Sequence, residues 1–242
     1  MRWTLEPNFS RFTIGRRELV LHRDLAPHAT TIVRELTNLK TTAGSGAGNR
    51  RSAFRLSIAD GPELFARRSH RGGMIASLLD DIYLGMNPRP LQELAITIAA
   101  LKRGIPVAEP MGAIVEWIGP AFYRGFFLTR AASGMTLWEF LRTDDDPTVR
   151  EHVLQQVRSA IDTMHRGGLF HADLNLHNLL VTQAGESFAA LILDLDKSRL
   201  YDGPVPEAKR RENGRRLLRS ARKLDPSRRY LDEAALTILS LQ

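Results

Sequence analysis

Apolar and polar residues change their spacing along the chain, and each change marks an element. Residues 12–22 alternate around Gly15, which predicts a short hairpin with Gly15 at its turn. Ile32, Val33, Leu36 and Leu39 then recur at helical spacing, predicting a helix within residues 27–40. Residues 54–58 alternate as a strand, Asp60-Gly61-Pro62 turns the chain, and residues 64–68 read as the return strand. Leu91, Leu94, Ala95, Ile98 and Leu101 line one predicted helix face, closed by Gly104. Residues 111–117 and 123–129 read as strands on either side of Gly119-Pro120.

The pattern breaks at Ala132-Ser133-Gly134 and then turns helical. Thr136 is placed to cap a short helix running through Leu141. Pro147 opens a long one, with Val149, Val153, Leu154, Val157, Ile161 and Met164 on its buried side and Gly167-Gly168 at its end. Near the C-terminus Leu217, Leu218, Ala221 and Leu224 form a second apolar stripe, in a helix otherwise dominated by Lys209, Arg210, Arg211, Arg215, Arg216, Arg219, Arg222 and Lys223. One sign of charge sustained over that length favours contact with an anion over a merely solvated face.

Chemistry concentrates between residues 165 and 197. His171-Ala172-Asp173-Leu174-Asn175-Leu176-His177-Asn178 has the H-x-D-L-x-x-x-N register of a kinase catalytic loop, and the apolar run Leu191-Ile192-Leu193 leads into Asp194. Phosphoryl transfer asks for a carboxylate that orients the nucleophile and oxygen ligands for magnesium, and this stretch supplies both. Upstream, Gly44-Ser45-Gly46-Ala47-Gly48 fits either a phosphate-covering loop or a flexible linker. Arg67 or Arg68 on the return strand would face the phosphates, and Glu93 early in the following helix would pair with that cation.

A formal net charge of +7 over 242 residues points to anionic partners, and the absence of cysteine excludes disulfides, thiolate metal sites and thiol catalysis. No apolar run approaches the roughly 20 residues of a spanning helix. The basic run has no interleaved aromatics before Tyr230, so nucleic acid is not expected as a partner.

The ordered set resembles the lipopolysaccharide-core kinase family of the protein-kinase-like fold, in which the Kdo (3-deoxy-D-manno-octulosonic acid) kinases belong. The resemblance rests on Arg67 with Arg71-Gly72-Gly73, on residues 89–93 and 104–110, on the octet at 171–178, and on Asp194-Leu195-Asp196-Lys197. It implies an α+β bilobal fold with a small β-rich N-lobe, residues 1–130, and a reduced, mainly helical C-lobe, residues 131–242. It further implies Asp173 as catalytic base, Asn178 and Asp194 as magnesium ligands, and His171 as a brace. Gly46, Gly48, Arg67 and Glu93 would hold ATP, the family spacing selecting Arg67 over Arg68. The implied acceptor is the 4-hydroxyl of Kdo on Kdo-lipid A or a related anionic glycolipid. The implied location is the cytoplasmic face of the bacterial inner membrane, in peripheral contact with its anionic surface. Asn175, where protein kinases usually keep lysine, and the short chain after Asp194 favour a sugar or lipid acceptor over a protein. A core heptose kinase or other small-molecule kinase of the same fold, or a lipid-binding pseudokinase, are the alternatives.

Overall fold

The computed structural model of the chain describes residues 6–43, 53–68, 82–185 and 187–240. It divides into two compact units, residues 1–95 with 109–131 and residues 96–108 with 132–242.

An antiparallel sheet organises the first unit. Strands β1 (Phe9–Ile14) and β2 (Arg17–His22) form the N-terminal hairpin, and Gly15 takes a φ of 60° at its turn. A 3-10 segment leads to α1 (Ala29–Ala43), followed by β3 (Ala53–Leu56), β4 (Leu64–Arg68) and the two-residue β5 (Tyr83–Leu84). Helix α2 (Arg89–Lys102) and strands β6 (Pro110–Trp117) and β7 (Phe122–Arg130) come next. The strand order is β1-β2-β6-β7-β4-β3, with β5 paired to β7.

The pleat gives this sheet two apolar faces. Leu19, Leu21, Leu64, Ala66, Ile114, Phe126 and Leu128 pack with Ile32, Val33 and Leu36 of α1. On the other face Val115, Tyr123 and Tyr83 gather with Leu91 of α2. A Cβ at Gly125 of β7 would collide with the ring of Pro90, so glycine there lets the first turn of α2 lie close against the sheet. That turn is set differently from the spacing-based expectation. The buried stripe of α2 comprises Pro90, Glu93, Leu94, Thr97, Ile98 and Ala100, whereas Leu101 is 45% exposed. Apolar spacing treats a glutamate as outward-facing. Here a cation on the sheet draws Glu93 inward and rotates the stripe.

In the second unit β8 (Met135–Thr136) runs into α3 (Leu137–Thr143), and α4 (Pro147–Arg166) follows. Thr136 and Glu139 form a reciprocal capping box, and the Asp146 carboxylate accepts from the first turn of α4. Beyond lie β9 (Leu169–Phe170), a 3-10 turn (Leu176–Asn178), β10 (Leu179–Ala184), β11 (Ser187–Ile192) and β12 (Arg199–Leu200). Helices α5 (Glu207–Leu224) and α6 (Glu233–Leu239) complete the unit. Val153, Leu154, Val157, Ile161 and Met164 of α4 form its core with Leu174, Leu176, Leu179, Ile192, Leu217 and Leu239.

Helix α6 has no counterpart in the sequence reading. A buried acid orders the turn before it. Asp225 accepts backbone N–H bonds from Arg229, Tyr230 and Leu231. Burial alone would push its pKa up, but these donors outweigh that effect and hold it below the ordinary carboxylate value.

Candidate active site

The first unit holds a buried ion pair. In the sheet register Arg67 stands opposite Phe127 and Arg68 opposite Phe126, so the two guanidinium groups leave β4 on opposite faces. Phe126 belongs to the α1 side, and Arg68 stacks over its ring at 5.6 Å. Arg67 emerges on the α2 side, where its guanidinium bonds both carboxylate oxygens of Glu93. Glu93 is 3% exposed, and a carboxylate removed so far from water needs such a partner to stay ionised. Gly46, Gly48 and Arg71-Gly72-Gly73 lie outside the described residues.

The second unit assembles the octet and Asp194. Leu179 pairs with Ile192 across β10 and β11, and the Leu193 N–H then donates to the Asn178 carbonyl at 2.9 Å. This hairpin brings two segments 15 residues apart together, with Asn178 at the end of one and Asp194 at the start of the other. Asp194 has a φ of 56°, a left-handed conformation that non-glycine residues adopt with strain.

His171 ties the same two segments together. Its Nδ1 accepts the Asp173 N–H at 3.0 Å, and its Nε2–H donates to the Leu193 carbonyl at 2.8 Å. That pair of contacts fixes the neutral tautomer. Burial lowers the pKa of His171, which keeps the ring uncharged. The Asp173 carbonyl meanwhile accepts from Asn178 Nδ2 at 2.8 Å and from Asn175 Nδ2 at 3.0 Å. The backbone of Asp173 is therefore held at both its N–H and its carbonyl, while its side chain is exposed. The geometry thus gives His171 the bracing position.

A further brace comes from α5, through a residue that composition and periodicity did not single out. Asn213 is fully buried. Its Nδ2 donates to the His171 carbonyl at 2.6 Å, and its Oδ1 accepts from His165 Nε2 at 3.0 Å and from the His171 N–H at 3.4 Å. Ser220, two turns further along α5, accepts the Leu176 N–H at 3.4 Å. The one sequence signal for Asn213 was an amide, with Gly214 beside it, in a run otherwise made of charges.

The donor set fits a hard cation. Because Asn178 spends its amide nitrogen on the Asp173 carbonyl, the carboxamide oxygen is the atom left to coordinate. With the Asp194 carboxylate that makes an oxygen-only pair, the set magnesium takes when phosphates and water fill the remaining positions. Among the described residues no three His, Cys, Asp or Glu side chains form a metal cage.

A sheet flanked by a helix that supplies a strand-cation partner, followed by a mainly helical unit carrying the H-x-D-L-x-x-x-N loop, defines a protein-kinase-like fold. The solved structure of WaaP in complex with acyl carrier protein has this fold, with a TM-score of 0.53 at 16% identity, covering 79% of this chain and 74% of that one. A family model described as the lipopolysaccharide kinase (Kdo/WaaP) family matches residues 26–236, and the chain belongs to that family. Similar proteins include the 3-deoxy-D-manno-octulosonic acid kinases of Xylella fastidiosa strain 9a5c and of Vibrio parahaemolyticus. The first is 34% identical over 181 residues, 73% of this chain and 68% of that protein. The second is 27% identical over 190 residues, 77% and 74% respectively. The protein is therefore a phosphotransferase acting on an alcohol group, and its family implies ATP as the phosphate source.

Proposed function

We propose that the protein transfers the γ-phosphoryl group of ATP to the 4-hydroxyl of Kdo on a Kdo-lipid A acceptor, working at the cytoplasmic face of the inner membrane. The observation that carries the catalytic part is the Asp173 loop, which presents one exposed carboxylate on a backbone immobilised from both sides. Support for the acceptor comes from the relatives named as Kdo kinases.

In this reading Asp173 accepts the proton of the acceptor hydroxyl as its oxygen attacks the γ-phosphorus, and the β–γ bridging oxygen leaves with ADP. Asn178 Oδ1 and the Asp194 carboxylate would hold magnesium. When bound, the cation neutralises charge on the β- and γ-phosphates. Arg67, kept in place by Glu93, would supply the positive charge that faces the phosphate oxygens. His171 and Asn213 touch neither substrate. They hold the loop in the geometry the transfer needs.

The exposed cations of α5 support peripheral membrane contact. Lys209 and Arg216 pair with Glu212, and Arg211 with Glu207. Arg215, Arg219, Arg222 and Lys223 project instead from the helix face opposite Leu217 and Ala221.

The test is incubation with ATP, magnesium and Kdo-lipid A, followed by mass analysis for one added phosphate and its position. Asp173→Asn should lower turnover about 10²–10⁴-fold with nucleotide binding retained. Transfer to a heptose-extended acceptor but not to Kdo-lipid A would reassign the substrate. Unchanged turnover in the Asn variant would remove Asp173 from the chemistry.

A further inference from the structure

The catalytic octet holds no lysine or arginine. Where protein kinases usually keep a lysine, two residues after the catalytic aspartate, this chain has Asn175, and its Nδ2 is spent on the Asp173 carbonyl. The Asp173 side chain is exposed. An acceptor that brings a second negative charge up to it meets a repulsion that no lysine or arginine of the octet offsets.

Helix α5 supplies cations instead. Residues at i, i+4, i+7 and i+11 share one face of a helix, and on α5 these are Lys209, Asn213, Arg216 and Ser220. Three of them meet residues 170–176 in chain order. Lys209 Nζ lies 5.1 Å over the Phe170 ring, Asn213 bonds the His171 backbone, and Ser220 accepts the Leu176 N–H. Arg216 stands between Asn213 and Ser220 on that face, and so fronts the residues between His171 and Leu176, Asp173 among them. Its charge is felt at His171, where it adds to the effect of burial in keeping the ring neutral. Among the described residues Arg216 makes one bond, from Nη2 to Glu212 at 2.9 Å; its Nε is buried without a partner, and 39% of the side chain is exposed. An exposed i,i+4 pair needs no such unpaired N–H, so helix stability does not account for this placement. Glu212 also takes Lys209, at 2.7 Å, so two cations stand against one carboxylate and leave this face of α5 positive.

We infer that Arg216, with Lys209 beside it, binds the carboxylate of the acceptor sugar and sets the specificity for an acidic sugar. The 4-hydroxyl of Kdo lies two ring positions from the carbon that bears its carboxylate, so a hydroxyl delivered to Asp173 brings that anion with it. A guanidinium meets a carboxylate through a planar fork of donors and offsets its repulsion by Asp173. The phosphates of lipid A sit on other sugars, further from the reacting hydroxyl. The inference rests on the proposed Kdo acceptor and deepens it by naming the residue that recognises its acid group.

The experiment compares the full chain and its Arg216→Gln variant on two acceptors: Kdo-lipid A, and Kdo-lipid A with the Kdo carboxyl converted to the primary amide. Both are presented in neutral detergent micelles with saturating ATP and magnesium, so that no anionic surface contributes. The parent should prefer the acid to the amide by about ten- to a hundredfold in kcat/KM, and Arg216→Gln by no more than about threefold. The loss should lie in KM for the acceptor, with KM for ATP unchanged. Arg216→Lys should restore part of the preference, since it returns the charge without the fork. Glu212→Gln is the structural control. It removes the same helix pair, and it should keep the acid preference, with circular dichroism and thermal melting confirming that each variant folds. An acid-to-amide preference in Arg216→Gln equal to the parent's would overturn the inference, as would its equal loss in Glu212→Gln. So would a variant that keeps the acid preference but loses discrimination against dephosphorylated Kdo-lipid A, which would assign Arg216 to the lipid phosphates. A parent with no transfer to Kdo-lipid A would overturn the Kdo reading itself, and this inference with it. The parent's activity thus tests that reading, and the variant's acid preference tests the role of Arg216.

Discussion

Replacing Asn213 by alanine tests whether α5 sets the catalytic loop. The side chain satisfies the His171 carbonyl at 2.6 Å and His165 Nε2–H at 3.0 Å, both in the interior, and adds a long bond from the His171 N–H. Alanine leaves the two close partners unpaired away from water. A buried polar group stranded in this way costs about 1–3 kcal/mol, so the pair costs about 4 kcal/mol, within a range of roughly 2–6. For a chain of this size each kcal/mol moves Tm by about 2–4 °C, giving an expected fall of about 8–16 °C in calorimetry. Turnover should drop at least about tenfold with KM for ATP changed less, because the loop that carries Asp173 loosens while the Arg67–Glu93 pair is untouched.

Asn213→Asp separates positioning from bulk. It keeps the acceptor oxygens, has no donor for the His171 carbonyl, and places an anion against His165. In the parent, burial lowers the pKa of both His165 and His171. Their neutral forms therefore contribute stability that is present above about pH 6.5 and is lost as pH falls below it. In the Asp variant the anion raises the His165 pKa, so that contribution is present below about pH 6.5 and is lost as pH rises. Urea denaturation should accordingly show the gap between parent and Asp variant narrowing from pH 8 to pH 5.5. Parallel pH profiles, or an Asn213→Ala variant within about 0.5 kcal/mol of the parent, would refute the reasoning.

Arg67→Lys should raise KM for ATP although it keeps the charge, because a compact ammonium cannot span Glu93 and a phosphate oxygen as the planar fork does, while Arg68→Lys, on the opposite face of the sheet, should leave ATP kinetics within about twofold. Asp194→Asn should shift the magnesium dependence of nucleotide binding to higher concentration, read by titration calorimetry; an unchanged metal dependence would move the assignment to Asp196. Neutralising Arg215, Arg219, Arg222 and Lys223 should weaken sedimentation with anionic vesicles. At about 1 kcal/mol per cation, three contacts are worth on the order of a hundredfold, and that loss should vanish at high salt.

Local rules determined much of this protein before any tertiary contact. The hairpin turn at Gly15 needs a residue that accepts a positive φ. The Thr136–Glu139 box and the Asp146-Pro147 start are each set within four residues, and so could be read from spacing. The octet at 171–178 is likewise a short contiguous pattern, and the fold class was implied by the family resemblance that the ordered set of such patterns carries. The choice between Arg67 and Arg68 was of another kind. Strand alternation alone left both open and the family resemblance pointed to Arg67; the register of β4 on β7, with α2 covering one face, is what brings the Arg67 guanidinium to Glu93. The burial of Glu93 ran against its apolar neighbours, because a charge is drawn inward only where a partner from a distant segment already waits. Asn213 lies 42 residues from the His171 it holds, and the Asp225 turn acquires its meaning from three backbone N–H groups that fold around it. Periodicity records which side of an element faces a core. Which polar atom meets which across that core depends on long-range register and helix placement, and those exist only once the chain has packed.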